Sequence, residues 1–141
     1  MIGAEAFDGF KAIKKDGTKL RAMIVDDSTF MIKQLERFLT AIDVDVVATA
    51  TNGLDAVKLY PVAKPDFVTL DITMPKMDGM EALTEIKKLD KKANIIMVSA
   101  LGQEQTIKES ILRGAIYFLV KPITITTIRE RLIPVLKKLL S

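Results

Sequence analysis

Five short apolar runs that alternate with segments of helical period predict an α/β fold, a doubly wound five-stranded parallel sheet with helices on both faces. Two further observations support it. A chain of 141 residues, 49% of them apolar, is one domain with enough material for a real core. Acids also close the first and third runs, as Asp26-Asp27 and Asp71, which puts carboxylates at the strand ends where open α/β sheets leave a crevice.

The runs are Ala22-Met23-Ile24-Val25, Val44-Asp45-Val46-Val47-Ala48, Phe67-Val68-Thr69-Leu70, Ile95-Ile96-Met97-Val98 and Tyr117-Phe118-Leu119-Val120. The second carries Asp45 and suits an edge, whereas the first, third and fourth are apolar nearly throughout and suit the middle. After the first run, Phe30, Leu35, Phe38, Leu39 and Ile42 recur at helical intervals, behind Ser28 or Thr29 as cap. Gly53 opens a shorter helix through Ala56, Val57 and Tyr60 that Pro61 and Pro65 should close. Met80, Leu83, Ile86 and Leu89 mark a third helix, and Ile107, Ile111 and Leu112 the inward face of a fourth, which stops at Gly114. A fifth spans about residues 124–140, where Pro134 should kink or split it.

With no cysteine and no histidine, disulfides, thiolate nucleophiles, cysteine-histidine zinc sites and histidine acid-base catalysis are excluded. The net charge of +3 comes from bases interleaved with acids, a solvated surface and not a nucleic-acid stripe. No run of 18 or more apolar residues calls for a membrane, and the lack of cysteine fits a cytoplasmic protein.

Asp26, Asp27 and Asp71, with Ser99 after the fourth run and Lys121 after the fifth, should converge on one edge of the sheet. One such acid alone would read as a turn former or helix cap. Three together repel, by roughly 4 kcal/mol per pair at about 4 Å with an effective dielectric near 20. A divalent cation relieves that repulsion, and oxygen-only ligands point to Mg2+.

The strings Val25-Asp26-Asp27-Ser28, Asp71-Ile72-Thr73-Met74-Pro75-Lys76-Met77-Asp78-Gly79, Val98-Ser99-Ala100 and Leu119-Val120-Lys121-Pro122 resemble those of response-regulator receiver domains of the chemotaxis (CheY-like) type. The resemblance covers about residues 20–140, which makes 20–141 the receiver domain and leaves 1–19 as an N-terminal extension. It implies a flavodoxin-like sheet of order 2-1-3-4-5 and a cis Lys121-Pro122 bond. Asp71 would be the phosphoacceptor for a histidine kinase or a small acyl phosphate. Asp27, Asp71 and the Thr73 carbonyl would hold Mg2+, with Asp26 orienting a metal-bound water. Lys121 and Ser99 would contact the phosphoryl oxygens, and Ser99 with Phe118 would form the switch. Thr73 and Leu101 would flank the path of the hydrolytic water. The protein would be no enzyme beyond its own phosphorylation and dephosphorylation. No output domain follows, so output should be protein contact through helix 4, strand 5 and helix 5, with the flagellar switch as candidate partner. A haloacid-dehalogenase-type hydrolase would want an acid where Thr73 stands, and the intact acids, Ser99 and Lys121 speak against an unphosphorylated receiver-like module.

In the extension, Asp16-Gly17 between Phe10-Lys11-Ala12-Ile13-Lys14-Lys15 and Thr18-Lys19-Leu20-Arg21-Ala22 predicts a two-stranded hairpin at the end of the sheet away from Asp71. Phe7 or Phe10 at its tip would suit self-association. An amphipathic helix through Ala6, Phe7, Phe10 and Ile13, or a frayed terminus, are the competing readings.

Overall fold

The computed structural model describes residues 2–141. Its sheet has five parallel strands, β1 (Arg21–Val25), β2 (Asp45–Ala50), β3 (Phe67–Leu70), β4 (Ile95–Ser99) and β5 (Tyr117–Val120), in the order β2-β1-β3-β4-β5. The pleat sends alternate side chains to opposite faces, so each central strand feeds two cores. Ala22, Ile24, Ile96 and Val98 enter the core beneath the first and last helices, while Met23, Val25, Ile95 and Met97 enter the one beneath the middle helices.

Helix α1 (Thr29–Ala41) begins where the Ser28 hydroxyl accepts from the Met31 N–H, satisfying one orphan donor of the first turn. Its buried stripe is Ile32, Leu35, Phe38 and Leu39. Phe30, expected inside, is 70% exposed because it lies about 200° around the helix from Ile32 at 3.6 residues per turn. Helix α2 (Gly53–Ala63) runs through Pro61 instead of stopping there; the ring removes a single N–H, and the helix ends two residues later at Ala63, capped by Lys64 at φ 48°, whose N–H reaches the Tyr60 carbonyl. In α3 (Gly79–Leu89), Met80, Leu83 and Ile86 are inward as expected, but Leu89 at the last turn is exposed.

Helix α4 (Glu104–Leu112) departs most from expectation. Ile107 and Ser110 face the sheet, and the buried Ser110 hydroxyl donates to the Ile107 carbonyl, which removes the cost of burying it. With that stripe set, Ile111 and Leu112 point outward, Leu112 at 87% exposure. The last helix is split as expected, by a π-helical turn over Ile128–Leu132 between α5 (Ile125–Thr127) and α6 (Ile133–Leu140). Pro134 falls in the first turn of α6, where its missing N–H is tolerated.

Residues 4–20 correct the expected hairpin. The turn forms at Asp16-Gly17, with Gly17 at φ 90° and the Lys14 N–H on the Thr18 carbonyl, but the pairing reduces to one bridge, Ile13 to Lys19. Ahead of it a 3-10 turn (Ala4–Phe7) puts Phe7 at 1% exposure, edge-on to Phe38 with centroids 6.5 Å apart. Phe10 is half-buried beneath Lys137 of α6, and the Ala6 carbonyl accepts from Arg129. The segment is thus a strap across α1 and the last helix, at the end away from Asp71, and neither phenylalanine projects for self-association. Burying the Phe7 ring and Ala12, with Phe10 half-buried, outweighs the few ladder hydrogen bonds that a free hairpin would add. Phe7→Ala should therefore destabilise the whole domain by about 3–5 kcal/mol in urea unfolding, where removal of a frayed tail would change nothing.

Candidate functional site

Because all five strands run the same way, their carboxyl ends share one edge, and the residues just past β1, β3, β4 and β5 meet there. Asp26 follows Val25 and Asp71 follows Leu70, two residues that are themselves register partners. One carboxylate oxygen from each of Asp26, Asp27 and Asp71 lies within 4.8 Å of the others. Asp26 and Asp71 are buried and Asp27 is exposed, so the cluster opens to water on one side.

Each buried acid has one oxygen committed locally. Asp26 Oδ1 accepts from the Ser28 N–H at 2.9 Å, and Asp71 Oδ1 from the Ile72 N–H at 2.8 Å. The other two oxygens share Lys121, whose Nζ lies 2.9 Å from Asp26 Oδ2 and 3.2 Å from Asp71 Oδ2. The Lys121-Pro122 bond is cis, as the resemblance implied. Burial holds the Asp71 carboxyl above the ordinary aspartate range, and the Asp26 charge adds to this while Lys121 opposes it. Burial alone would lower the Lys121 ammonium, but hydrogen bonding to Asp26 and the charges of Asp71 and Asp26 outweigh it and leave it above the usual lysine range.

Ser99 ends β4, fully buried, and its Oγ accepts from the Leu101 N–H at 3.1 Å. Phe118 is buried in the core under α3 and α4, opposite Met97 in register and on the same sheet face, with Tyr117 directed to the other core. Thr73 stands on the exposed loop two residues beyond Asp71.

Two glycines hold that loop in place, and the sequence showed neither role. A Cβ on Gly79 would collide with the Asp71 carbonyl oxygen, and one on Gly53 with the Met77 carbonyl oxygen. Gly79 N–H bonds the Ile72 carbonyl at 2.7 Å and Gly53 N–H the Met77 carbonyl at 2.9 Å, so the β3–α3 loop is clamped from both sides. Asp78-Gly79 was legible as a turn, but a close backbone approach leaves no mark on composition.

Hard oxygen ligands clustered in a half-open cup suit a small divalent cation, with Asp26, Asp27 and Asp71 as the residues that could hold it. The response regulator receiver domain model matches residues 22–133. The chain belongs to that family. The chemotaxis protein CheY of Treponema pallidum is 44% identical over 88% of this chain and 88% of its own. That of Bacillus subtilis is 49% identical over 72% of this chain and 85% of its own. Among solved structures, a chain of the CheX–CheY–BeF3–Mg2+ complex from Borrelia burgdorferi superposes with a TM-score of 0.85 at 42% identity, covering 88% of this chain and 95% of that one. The sheet order of the receiver fold is the one observed, and receiver domains are signalling proteins, not conventional enzymes. No helix among the described residues is long and apolar enough to cross a membrane.

The shifts have a sign. Because the folded Asp71 carboxyl lies above its ordinary value, its ionised form costs stability at neutral pH, and the cost disappears as pH falls through the folded value. In chelator, Asp71→Asn should raise the melting temperature of this receiver at neutral pH, with the advantage shrinking as the buffer approaches the ordinary aspartate value. Lys121→Met should act the other way, lowering stability by about 3 kcal/mol, since it leaves Asp26 and Asp71 facing each other without a counter-charge. Thermal melts of both variants over a pH series check the two signs.

Proposed function

We propose that this receiver is a Mg2+-dependent phosphoacceptor that takes a phosphoryl group on Asp71 from a histidine kinase and signals by altered protein contact in chemotaxis. One observation carries the reading: two buried carboxylates and one exposed one meet at the sheet edge with a lysine already bridging Asp26 and Asp71. No packing requirement explains that arrangement.

In this reading an Asp71 oxygen attacks the phosphorus of a phosphohistidine. An O–P bond forms, the P–N bond breaks, and the imidazole leaves with its electron pair and takes a proton. Bound Mg2+, held by Asp27, Asp71 and the Thr73 carbonyl with Asp26 orienting a metal-bound water, would neutralise charge on the transferring group. Lys121 turns its ammonium from the carboxylates to the phosphoryl oxygens, a short move for a flexible side chain. Ser99 exchanges its Leu101 bond for a phosphoryl oxygen, and the space it vacates on the Met97–Phe118 face is filled by the Phe118 ring. Phe118 has no hydroxyl, so the signal passes by packing alone. The output partner docks on α4, β5 and the last helix, where Ile111, Leu112 and Ile116 are exposed. The flagellar switch is the candidate partner, given relatives named CheY, and the reading places the protein in the cytoplasm.

Incubation with acetyl phosphate and Mg2+ should add a single phosphoryl group by intact mass, and none to Asp71→Asn. Magnesium should also raise the melting temperature, an effect that Asp27→Ala removes; an unaltered mass in the wild type sinks the reading. Leu101 is more than a third exposed beside Ser99 and can exclude water but not orient it. Leu101→Glu should therefore speed loss of the phosphoryl group severalfold in a chase experiment.

A further inference from the structure

Helix α4 contributes little to the core. Only Ser110 is fully buried along it, Ile107 is partly buried, and Ile111 and Leu112 face water. Its position is fixed instead by the residue that caps it. Arg113 reaches across to α3, where Nη1 donates at 3.2 Å to both the Met80 carbonyl and the Thr84 hydroxyl, while Nη2 lies 3.0 Å from Glu109 Oε1, one turn back on α4. The Thr84 hydroxyl donates to the Met80 carbonyl at 3.2 Å, which leaves its lone pairs for the arginine. Gly114 follows at φ 110°, and a Cβ there would come within 2.9 Å of the Lys87 side chain. Lys87 is itself fixed, its ammonium donating to the Lys91 and Ala93 carbonyls at 2.7 and 3.0 Å. Met80, Thr84 and Lys87 recur at helical intervals on one ridge of α3, and that ridge grips the end of α4.

The two helices are not equally free. The start of α3 is wedged at Gly79 against the Asp71 carbonyl, and the next residue, Met80, supplies the carbonyl that Arg113 takes. The grip on α4 is made by hydrogen bonds of a side chain that is more than a third exposed, so water can replace each of them at small cost. It is also specific to one placement of the helix. The rigid fork of the guanidinium meets its acceptors only in this geometry, and a shift of about 1 Å at the end of α4 takes them beyond hydrogen-bond range.

We infer that Arg113 is a positioning residue, a latch that fastens α4 to α3 in this conformation and that phosphorylation of Asp71 has to release. The second clause rests on the reading of Asp71 as phosphoacceptor. Ser99 precedes α4 in the chain and Phe118 follows it, so the movement proposed for those two side chains pulls at both ends of the segment that the latch holds. Leu112, 87% exposed beside Arg113, moves with the freed end and carries the change to the surface. By linkage, loosening the latch favours the phosphoryl-bearing state by the same factor as that state loosens the latch. Arg113 thereby sets how readily the receiver responds without touching the acids.

The test uses the full chain with Arg113→Met, Thr84→Val and the double variant. In chelator, amide hydrogen exchange of α4 should quicken on the order of tenfold in Arg113→Met, with α1 and the strap unchanged. Thr84→Val should act in the same direction but less, and the double variant no further than Arg113→Met alone, since both remove one interaction. Arg113→Lys, which keeps the charge without the fork, should fall between wild type and Arg113→Met. With Mg2+ and beryllium fluoride, a tetrahedral mimic of a phosphoryl group on a carboxylate, Arg113→Met should bind the mimic on the order of fivefold tighter by calorimetry. Unchanged exchange in α4, exchange raised alike throughout the chain, or mimic affinity equal to or below that of the wild type would overturn the inference. If the wild type binds no mimic, the phosphoacceptor reading fails, and exchange alone decides for or against the latch.

Discussion

Everything at the functional edge depends on keeping Asp26 and Asp71 side by side while both are largely out of water. Such a pair would repel by several kcal/mol at short range, and Lys121 is what makes the arrangement tolerable, placing one ammonium within 3.2 Å of both. The bridge constrains the fold in turn. It needs β1 and β3 adjacent, so that the residues after Val25 and Leu70 come level, and it needs the loop after β5 to reach back across β4. The sheet order satisfies both, with the site at the centre of its carboxyl edge.

The same bridge is replaceable. Lys121 is a long, singly charged side chain that neutralises two acids only in part, and Asp71 stays harder to ionise than an ordinary aspartate. A divalent cation arriving at the cup would change what Lys121 is best paired with. The glycine clamps at Gly53 and Gly79 fix the loop below the cup, because each is wedged against a backbone carbonyl and not against a yielding side chain.

Much of this was legible in the sequence because it rested on patterns with a physical cause. The five runs became the five strands within a residue or two, and Asp26, Asp27, Asp71 and Lys121 met as expected because they terminate parallel strands. What failed were arguments from apolarity without phase. Phe30, Ile111 and Leu112 are hydrophobic but fall off the buried stripe of their helices, and Leu89 ends its helix past the core, whereas Ser110 sits on the stripe. The extension failed for another reason. Asp16-Gly17 correctly marked a turn, but the fate of Phe7 depended on a gap beside Phe38 and the last helix, a tertiary fact that no local window contains.

These misses mark an asymmetry between the two sides of the sheet. On one side the strap locks α1 to the last helix, with Phe7, Ala12 and Phe38 completing a continuous core. On the other, α4 buries fully only Ser110 and leaves Ile111 and Leu112 in water, beside an edge strand of four residues. Local opening free energy follows buried apolar contact, so α4 and the start of β5 should be less expensive to shift than the strapped side. Ser99, Phe118 and Lys121 all border that part, and the strapped side offers no comparable give. A change of charge at Asp71 therefore has one easy direction in which to be relieved, toward α4 and β5. The packed strap, an extension in the sequence, helps to set that direction by closing off the other.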